Sequence, residues 1–232
     1  MVAAPGWTLE AGRRPTQKWI APVRVHGPMS FLLLAVWACP VGGSREKNYV
    51  GQTFESVTRH RGWFADAQPV VMCGDFNSNA IWDHRRKIRN HSAVVKLLRE
   101  RKLFSEYHAF FSEEHGKETK STYYFWHTKD RCFHIDYIFV PDSWASQLKD
   151  VTIGRYEDWR ATSDHVPVVV DVAEVEERDN RGIAPSRTLS AYASRPFRIR
   201  LYRLFDHPLP HAPYHRLRCP HFQHHRAILV LP

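Results

Sequence analysis

Three apolar runs in this chain each lead into or out of an acid that stands beside an amide or an imidazole. Pro69-Val70-Val71-Met72-Cys73 runs into Gly74-Asp75-Phe76-Asn77. The run from Phe133 to Val140 carries His134 and Asp136 near its start, and Ser163-Asp164-His165-Val166-Pro167 runs into Val168-Val169-Val170-Asp171-Val172. A carboxylate beside buried apolar surface is costly unless it is paired, hydrogen-bonded or holds a cation. Several of these runs are apolar on both pleat faces, which calls for sheets covered on both sides. The chain is therefore expected to fold as an α/β protein whose strand ends converge on one polar, metal-assisted reaction centre.

At 232 residues the chain is long enough for one substantial domain. Its longest apolar run, Phe31 to Cys39, is too short to cross a bilayer, so no membrane partner is expected. The first residues lack the charged-then-apolar pattern of a signal peptide, which makes the cytoplasm the expected location. Cys39, Cys73, Cys132 and Cys219 show no close pairing, so neither a disulfide framework nor a cysteine-paired zinc site is expected. Cys73 reads as a small core residue.

The net charge of +9 is unevenly placed. From Arg181 onward there are nine Arg, no Lys and one acid, Asp206, which accounts for +8 and leaves the other 180 residues at +1. The basic character belongs to the tail and is poor support for a nucleic-acid grip by the folded body. Three regions follow: residues 1–17, irregular; residues 18–174, the folded domain; and residues 175–232, an Arg/His/Pro-rich extension expected to lack fixed structure. His215, Cys219, His221, His224 and His225 supply zinc donors there, but at a spacing that matches no standard pattern.

Within the body, Trp19 to Val25, Phe31 to Trp37, Val70 to Cys73, Thr122 to Trp126, Phe133 to Val140, Val151 to Gly154 and Pro167 to Val172 read as strands. The segment from about Asn48 to Phe64 and the amphipathic stretch His91 to Lys102 read as helices, with a short helix at Ser143 to Leu148. In Phe133–Val140, Ile135, Tyr137 and Phe139 share one face and His134, Asp136, Ile138 and Val140 the other, the pattern of an interior strand.

Asp136 on so apolar a strand needs a partner. An imidazole supplies one, because the carboxylate accepts from one ring nitrogen and raises the basicity of the other. His165 also lies at a strand entrance and fits that role; a structural bond from Asp136 to backbone amides is the plain alternative. Asp75 and Asn77, two apart in an extended segment, share a face, and an acid beside an amide can take a proton and orient a nucleophile or phosphate oxygen. An ordinary Gly/Asp/Asn turn is the alternative there. Arg85, Arg86, Lys87 and Arg89 follow the same loop and could meet phosphates or form a solvated face. Trp82, beside the same loop, could stack on a base or pack on the core, and core packing is favoured.

Taken in order, Gly-Asp-Phe-Asn, His-Ile-Asp-Tyr and Ser-Asp-His-x-Pro resemble the endonuclease/exonuclease/phosphatase superfamily. That superfamily includes apurinic endonucleases, deoxyribonucleases of the pancreatic type, sphingomyelinases and inositol polyphosphate phosphatases. The resemblance covers roughly Trp19 to Val172. It implies a two-sheet α/β sandwich with covering helices in four layers, and Mg²⁺-dependent hydrolysis of a phosphate ester, with Mn²⁺ as an alternative ion and DNA among the substrates. By position, Asp75 resembles the residue that activates the attacking water and Asn77 the one that orients it. His165 resembles the imidazole at the scissile phosphate, Asp136 its carboxylate partner, and Asp164 a metal-proximal acid.

Two departures accompany the resemblance. Relatives begin with a strand bearing an Asn and another ending in a Glu that holds Mg²⁺. Neither is found here, Glu10 being the only acid before Glu46, so the domain is read as N-terminally incomplete. The strand Phe31–Trp37 continues into Ala38-Cys39-Pro40, which puts Cys39 where relatives usually carry a histidine. A thiol cannot replace an imidazolium as a donor. These departures support a second reading, a catalytically impaired remnant or binding module that keeps the fold.

Overall fold

A computed structural model of the chain describes residues 6–12, 19–39, 49–65, 68–85 and 87–173, together with the buried Ile199 and the backbone of strands Val2–Ala3, Phe197–Leu204, His215–Arg216 and Arg226–Val230. In chain order the strands are β1 (Val2–Ala3), β2 (Thr8–Ala11), β3 (Ile20–His26), β4 (Phe31–Trp37), β5 (Val70–Asp75), β6 (Leu103–Ser105), β7 (Tyr123–Tyr124), β8 (Cys132–Phe133), β9 (Asp136–Pro141), β10 (Leu148–Ile153), β11 (Val168–Val172), β12 (Phe197–Leu204), β13 (His215–Arg216) and β14 (Arg226–Val230). The helices are α1 (Val50–Arg59), α2 (His91–Glu100), α3 (Glu106–Phe111), α4 (Asp142–Ala145) and α5 (Tyr156–Trp159).

Two main sheets form. One has six strands in the order β2-β3-β4-β5-β9-β6, the other four in the order β10-β11-β12-β14. All pairings are antiparallel except β4 with β5, whose parallel register places Ala35 opposite Cys73 and Trp37 opposite Asp75. Strand alternation sorts the side chains into two cores. Val23, Val25, Leu33, Val71, Cys73, Ile138 and Val140 point from the first sheet toward Val151, Val168, Val170, Val172 and Ile199 of the second. Leu32, Leu34, Val36, Met72, Tyr137 and Phe139 point outward beneath α1 and α2, where they meet Val57, Val94 and Leu98. Leu33 and Leu34, neighbours in sequence, are both 0% exposed, one in each core. Burying a side chain of this size contributes roughly 1.5–3 kcal/mol. Burial also pushes the Cys73 thiol up to about 12, so it is an inert core group, as its sequence context indicates.

The interior-strand pattern of Phe133–Val140 is met: β9 lies between β5 and β6 and feeds both cores. Its start, however, is Asp136. Thr122 Oγ1 accepts from the amides of Ile135 (3.0 Å) and Asp136 (3.1 Å), drawing residues 134–135 out of the ladder and leaving Cys132–Phe133 as a separate short strand paired with Tyr123–Tyr124. The strand expected over Thr122–Trp126 stops at Tyr124, because Trp126 and His127 take positive φ (54° and 52°). Residues 1–17 are not irregular throughout: Thr8–Ala11 pairs with β3, and Trp7 is 5% exposed against the inter-sheet core.

The extension also differs from its expectation where it is described. Phe197–Leu204 pairs along β11, and Ile199, opposite Val170, is fully buried. The reason is visible in Phe197-Arg198-Ile199-Arg200-Leu201, a period-two alternation that the segment's overall Arg and Pro content averages away.

Candidate active site

Gly74 fixes where the first motif leaves its strand. Its φ is +142°, and a Cβ at this position would sit 1.9 Å from the Val36 carbonyl oxygen. Only glycine allows the β5 backbone to pass this close to β4. Asp75 follows at the last ladder position, and Asn77 then turns the chain with φ 46°, a conformation that asparagine tolerates. Asn77 closes on Asp75 twice: its backbone amide donates to Asp75 Oδ1 (2.9 Å) and its Nδ2 to Asp75 Oδ2 (2.8 Å). Nδ2 also donates to the Ala38 carbonyl (2.9 Å), tying the turn to the end of β4.

In the antiparallel pairing of β5 with β9, Asp75 lies directly opposite Asp136. Like charges so placed repel. Each carboxylate here has its own donor: Asn77 for Asp75, and His165 for Asp136, with Nδ1 at 2.8 Å from Asp136 Oδ2. An ionised carboxylate only accepts, so His165 Nδ1–H donates and the ring lone pair falls on Nε2. Asp75, Asp136 and His165 are 5%, 4% and 2% exposed, which makes these bonds part of the fold as well as of the pocket. All four residues singled out in the sequence as catalytic candidates thus meet at the ends of β5 and β9.

The third motif reaches this place through a segment whose importance the sequence did not reveal. Tyr123 bridges to His165 in the backbone ladder and packs its ring 4.7 Å from the imidazole. Val166 donates to the Thr122 carbonyl (2.8 Å), and Tyr124 to the Asp164 carbonyl (2.7 Å). Thr122 therefore positions the Asp136 strand with its side chain and the His165 loop with its backbone. Its lone signal in sequence is a β-branched residue at a strand start, which many strands share. Ser163 Oγ accepts from the His165 amide (3.0 Å) and braces the same loop.

Asn79 was also missed. Its Nδ2 donates to the His134 carbonyl (2.9 Å) and to Glu118 Oε2 (3.0 Å), so the Asp75 turn is held from a second side. His134 and Tyr137 flank it; burial lowers the His134 pKa and raises that of Tyr137, which keeps both neutral. Trp82 is half-buried and packs on the half-buried Phe133 at 5.0 Å, outside the two main cores. Arg85 and Lys87 are exposed and Arg89 half-buried, while Arg86 falls outside the described residues.

Asp164 Oδ1 is buried and has no hydrogen-bond partner. An orphaned carboxylate oxygen fits a cation, and Mg²⁺ commonly takes only one or two carboxylates, with water and substrate phosphate completing its shell. The residues present are compatible with such an ion through Asp164. Glu10 does not add to it: it lies on edge strand β2, with its side chain 68% exposed, 3.5 Å from His26. Cys39 is half-buried, and its carbonyl accepts from Gln52 Nε2, which anchors the end of β4 to α1. The tail cysteine and its neighbouring histidines lie outside the described side chains.

Residues 50–165, a span that opens in α1, contains the first two motifs and ends on His165 of the third, match the family model described as the Endonuclease/Exonuclease/phosphatase family. The chain belongs to this family. Its endonuclease/exonuclease/phosphatase fold is similar to that of the endonuclease domain of TRAS1, a telomere-specific non-LTR retrotransposon, at 13% identity and a TM-score of 0.51, over 73% of this chain and 70% of that one. It is also similar to the 3' phosphatase NExo from Neisseria bound to a product DNA hairpin (16% identity, TM-score 0.45, 72% and 79% covered). An AP endonuclease from Archaeoglobus fulgidus matches at 18% identity and a TM-score of 0.48, over 65% and 64%. No curated protein matches by sequence. Phosphoester hydrolysis is the chemistry of the endonuclease/exonuclease/phosphatase family, generally with a divalent metal. No helix among the described residues is long and apolar enough to cross a membrane.

Proposed function

We propose that this protein is a divalent-metal-dependent phosphodiesterase in which Asp75 activates water and His165 holds the phosphate. The observation that carries this reading is the facing of Asp75 and Asp136 across β5 and β9, with His165 bonded to Asp136 at 2.8 Å. Asp75 is bonded by Asn77 at both carboxylate oxygens, and as an acceptor it can take the proton of a water as that water attacks. Asn77 fixes the orientation of the carboxylate, which restricts where the water can stand. Asp136 holds the imidazole in one orientation through Nδ1, and with a proton also on Nε2 His165 can donate to a phosphate oxygen as charge builds there. Asp164 is the protein ligand for Mg²⁺ or Mn²⁺, which when bound supplies Lewis-acid stabilisation of phosphate charge.

A nucleic-acid substrate is favoured by one surface feature. Trp126 is 74% exposed, stacks on Phe125 at 4.7 Å and has the Arg131 guanidinium 5.7 Å above its ring. Phe125 leads back to Tyr123, which packs on His165. An aromatic and guanidinium pair beside a phosphate site suits a nucleobase better than a small phosphoester.

The test is hydrolysis of abasic DNA, plain DNA and a generic phosphodiester by the purified chain with Mg²⁺. Asp75→Ala and His165→Ala should each lower the rate by roughly 10²–10⁴, and Trp126→Ala should lower it on DNA alone. Activity that survives the first two substitutions rejects the assigned roles. The second reading, a non-catalytic remnant, is favoured by the fact that Asp164 belongs to no close group of three acidic, His or Cys ligands among the described residues. Calorimetric Mg²⁺ titration separates the two readings, since binding abolished by Asp164→Asn contradicts the remnant.

A further inference from the structure

A second polar cluster lies around α3, and its lining shares no residue with Asp75, Asn77, Asp136 or His165. His108 Nε2 is 3.1 Å from Glu118 Oε1, and one donor atom from each of His108, His115 and Glu118 lies within 4.8 Å of the others. We infer that these three side chains form a zinc-binding site.

The bonds behind the three residues support this more than their proximity does. Ser105 Oγ meets His108 Nδ1 at 2.7 Å. His91 Nε2 meets His115 Nδ1 at 3.0 Å, and His91 Nδ1 is in turn held by Ser78 Oγ at 3.0 Å. Glu118 Oε2 accepts from Asn79 Nδ2 (3.0 Å) and from the Gly116 amide (2.9 Å). Each residue is therefore held from outside through one atom, while His108 Nε2 and Glu118 Oε1 face each other at 3.1 Å, so a bound ion would take the place of the proton between them. Metal-binding side chains are ordinarily held in this manner, and the outer bonds set tautomer and ring angle.

Two imidazoles and one carboxylate match zinc with a water as fourth ligand, whereas Mg²⁺ and Ca²⁺ take oxygen shells. A cavity of about 310 Å³ lined by Ser105, His108, Glu113, His115 and Phe139 gives the ion a way in. The ligands come from α3 and the 115–118 loop, so the ion would clamp these together and, through Asn79, brace the Asp75 turn. Its role is structural, and the site stands independently of the proposed hydrolysis.

The full chain, stripped with chelator and dialysed, should take up one Zn²⁺ by calorimetry and mass spectrometry. Co²⁺ in its place should give the intense visible absorption of a four-coordinate nitrogen/oxygen site. His115→Ala and Glu118→Gln should weaken Zn²⁺ binding by roughly 100-fold or more, and Ser105→Ala by roughly 10–100-fold. Unchanged affinity in these variants, or thiolate-to-cobalt charge-transfer bands, would move the metal to other residues and overturn the assignment. If a variant fails to fold, the wild-type spectrum alone decides: a weak octahedral spectrum or no uptake overturns it.

Discussion

The acid–imidazole pocket at the ends of β5 and β9 is buried and the histidine cluster around α3 half-buried; both are polar, and the turn after Asp75 links them, with Asn79 bonded to Glu118 and Ser78 to His91. They differ in how their residues are delivered. In the pocket, each functional group sits within three residues of an apolar strand end, and the sheet's register aligns the two acids: Asp75 faces Asp136 because their strands pair there. In the cluster, Glu118 and His115 lie in a loop, and His91 and His108 on different helices, so no ladder aligns them and side-chain bonds do it instead. Rigid backbone places the first set, and a network of weaker bonds places the second. Disturbing one backbone atom should therefore harm the pocket more than deleting one link harms the cluster.

That contrast can be broken at three points. Gly74→Ala should have the largest effect, because the added methyl meets the Val36 carbonyl and the residue must keep φ +142°. A loss on the order of 4 kcal/mol is expected in urea unfolding, and a loss under 1 kcal/mol would show that β4 and β5 can separate locally. Asp136→Asn comes next. It keeps the side-chain shape but presents an amide to His165, favouring the wrong tautomer, and should cut kcat by roughly 10²–10⁴ while leaving the fold intact. A rate within threefold of wild type would show that the buried pair is structural only. Asn79→Ala is the smallest. It removes the donor to the His134 carbonyl and Glu118, and should cost about 1–3 kcal/mol of stability. If that variant lost activity as fully as Asp136→Asn, the pocket would depend on the cluster and the distinction between them would fail.

The same contrast explains what could be read from the sequence. Asp75, Asn77, Asp136 and His165 were legible because each stands in a short motif whose neighbours announce a strand, and strand ends are where distant residues meet. The apolar runs of β4, β5 and β11 were legible for the related reason that period and length suffice to define a buried strand. His108, His115 and Glu118 carried no such context, since His108 lies on a short helix that ends at Phe111 and the other two in the loop beyond it, so their spacings of seven and three imply no shared face. Thr122 was invisible as an organiser because its role lies in one hydroxyl accepting two amides. The β12 strand was hidden by averaging over the tail, although its own alternation of Phe197, Ile199 and Leu201 with arginines is plain once the window is narrowed.

The position of β12 beside β11 also bears on how the molecule is made. A ribosome delivers Val172 well before Phe197, and at usual elongation rates the gap is on the order of seconds. Throughout that interval β11, the strand that follows the His165 loop, has one side of its ladder open. Nascent chains would thus be most prone to self-association late in translation, and a premature stop codon between these strands would release a product that carries the acid–imidazole pocket but has an unsealed flank.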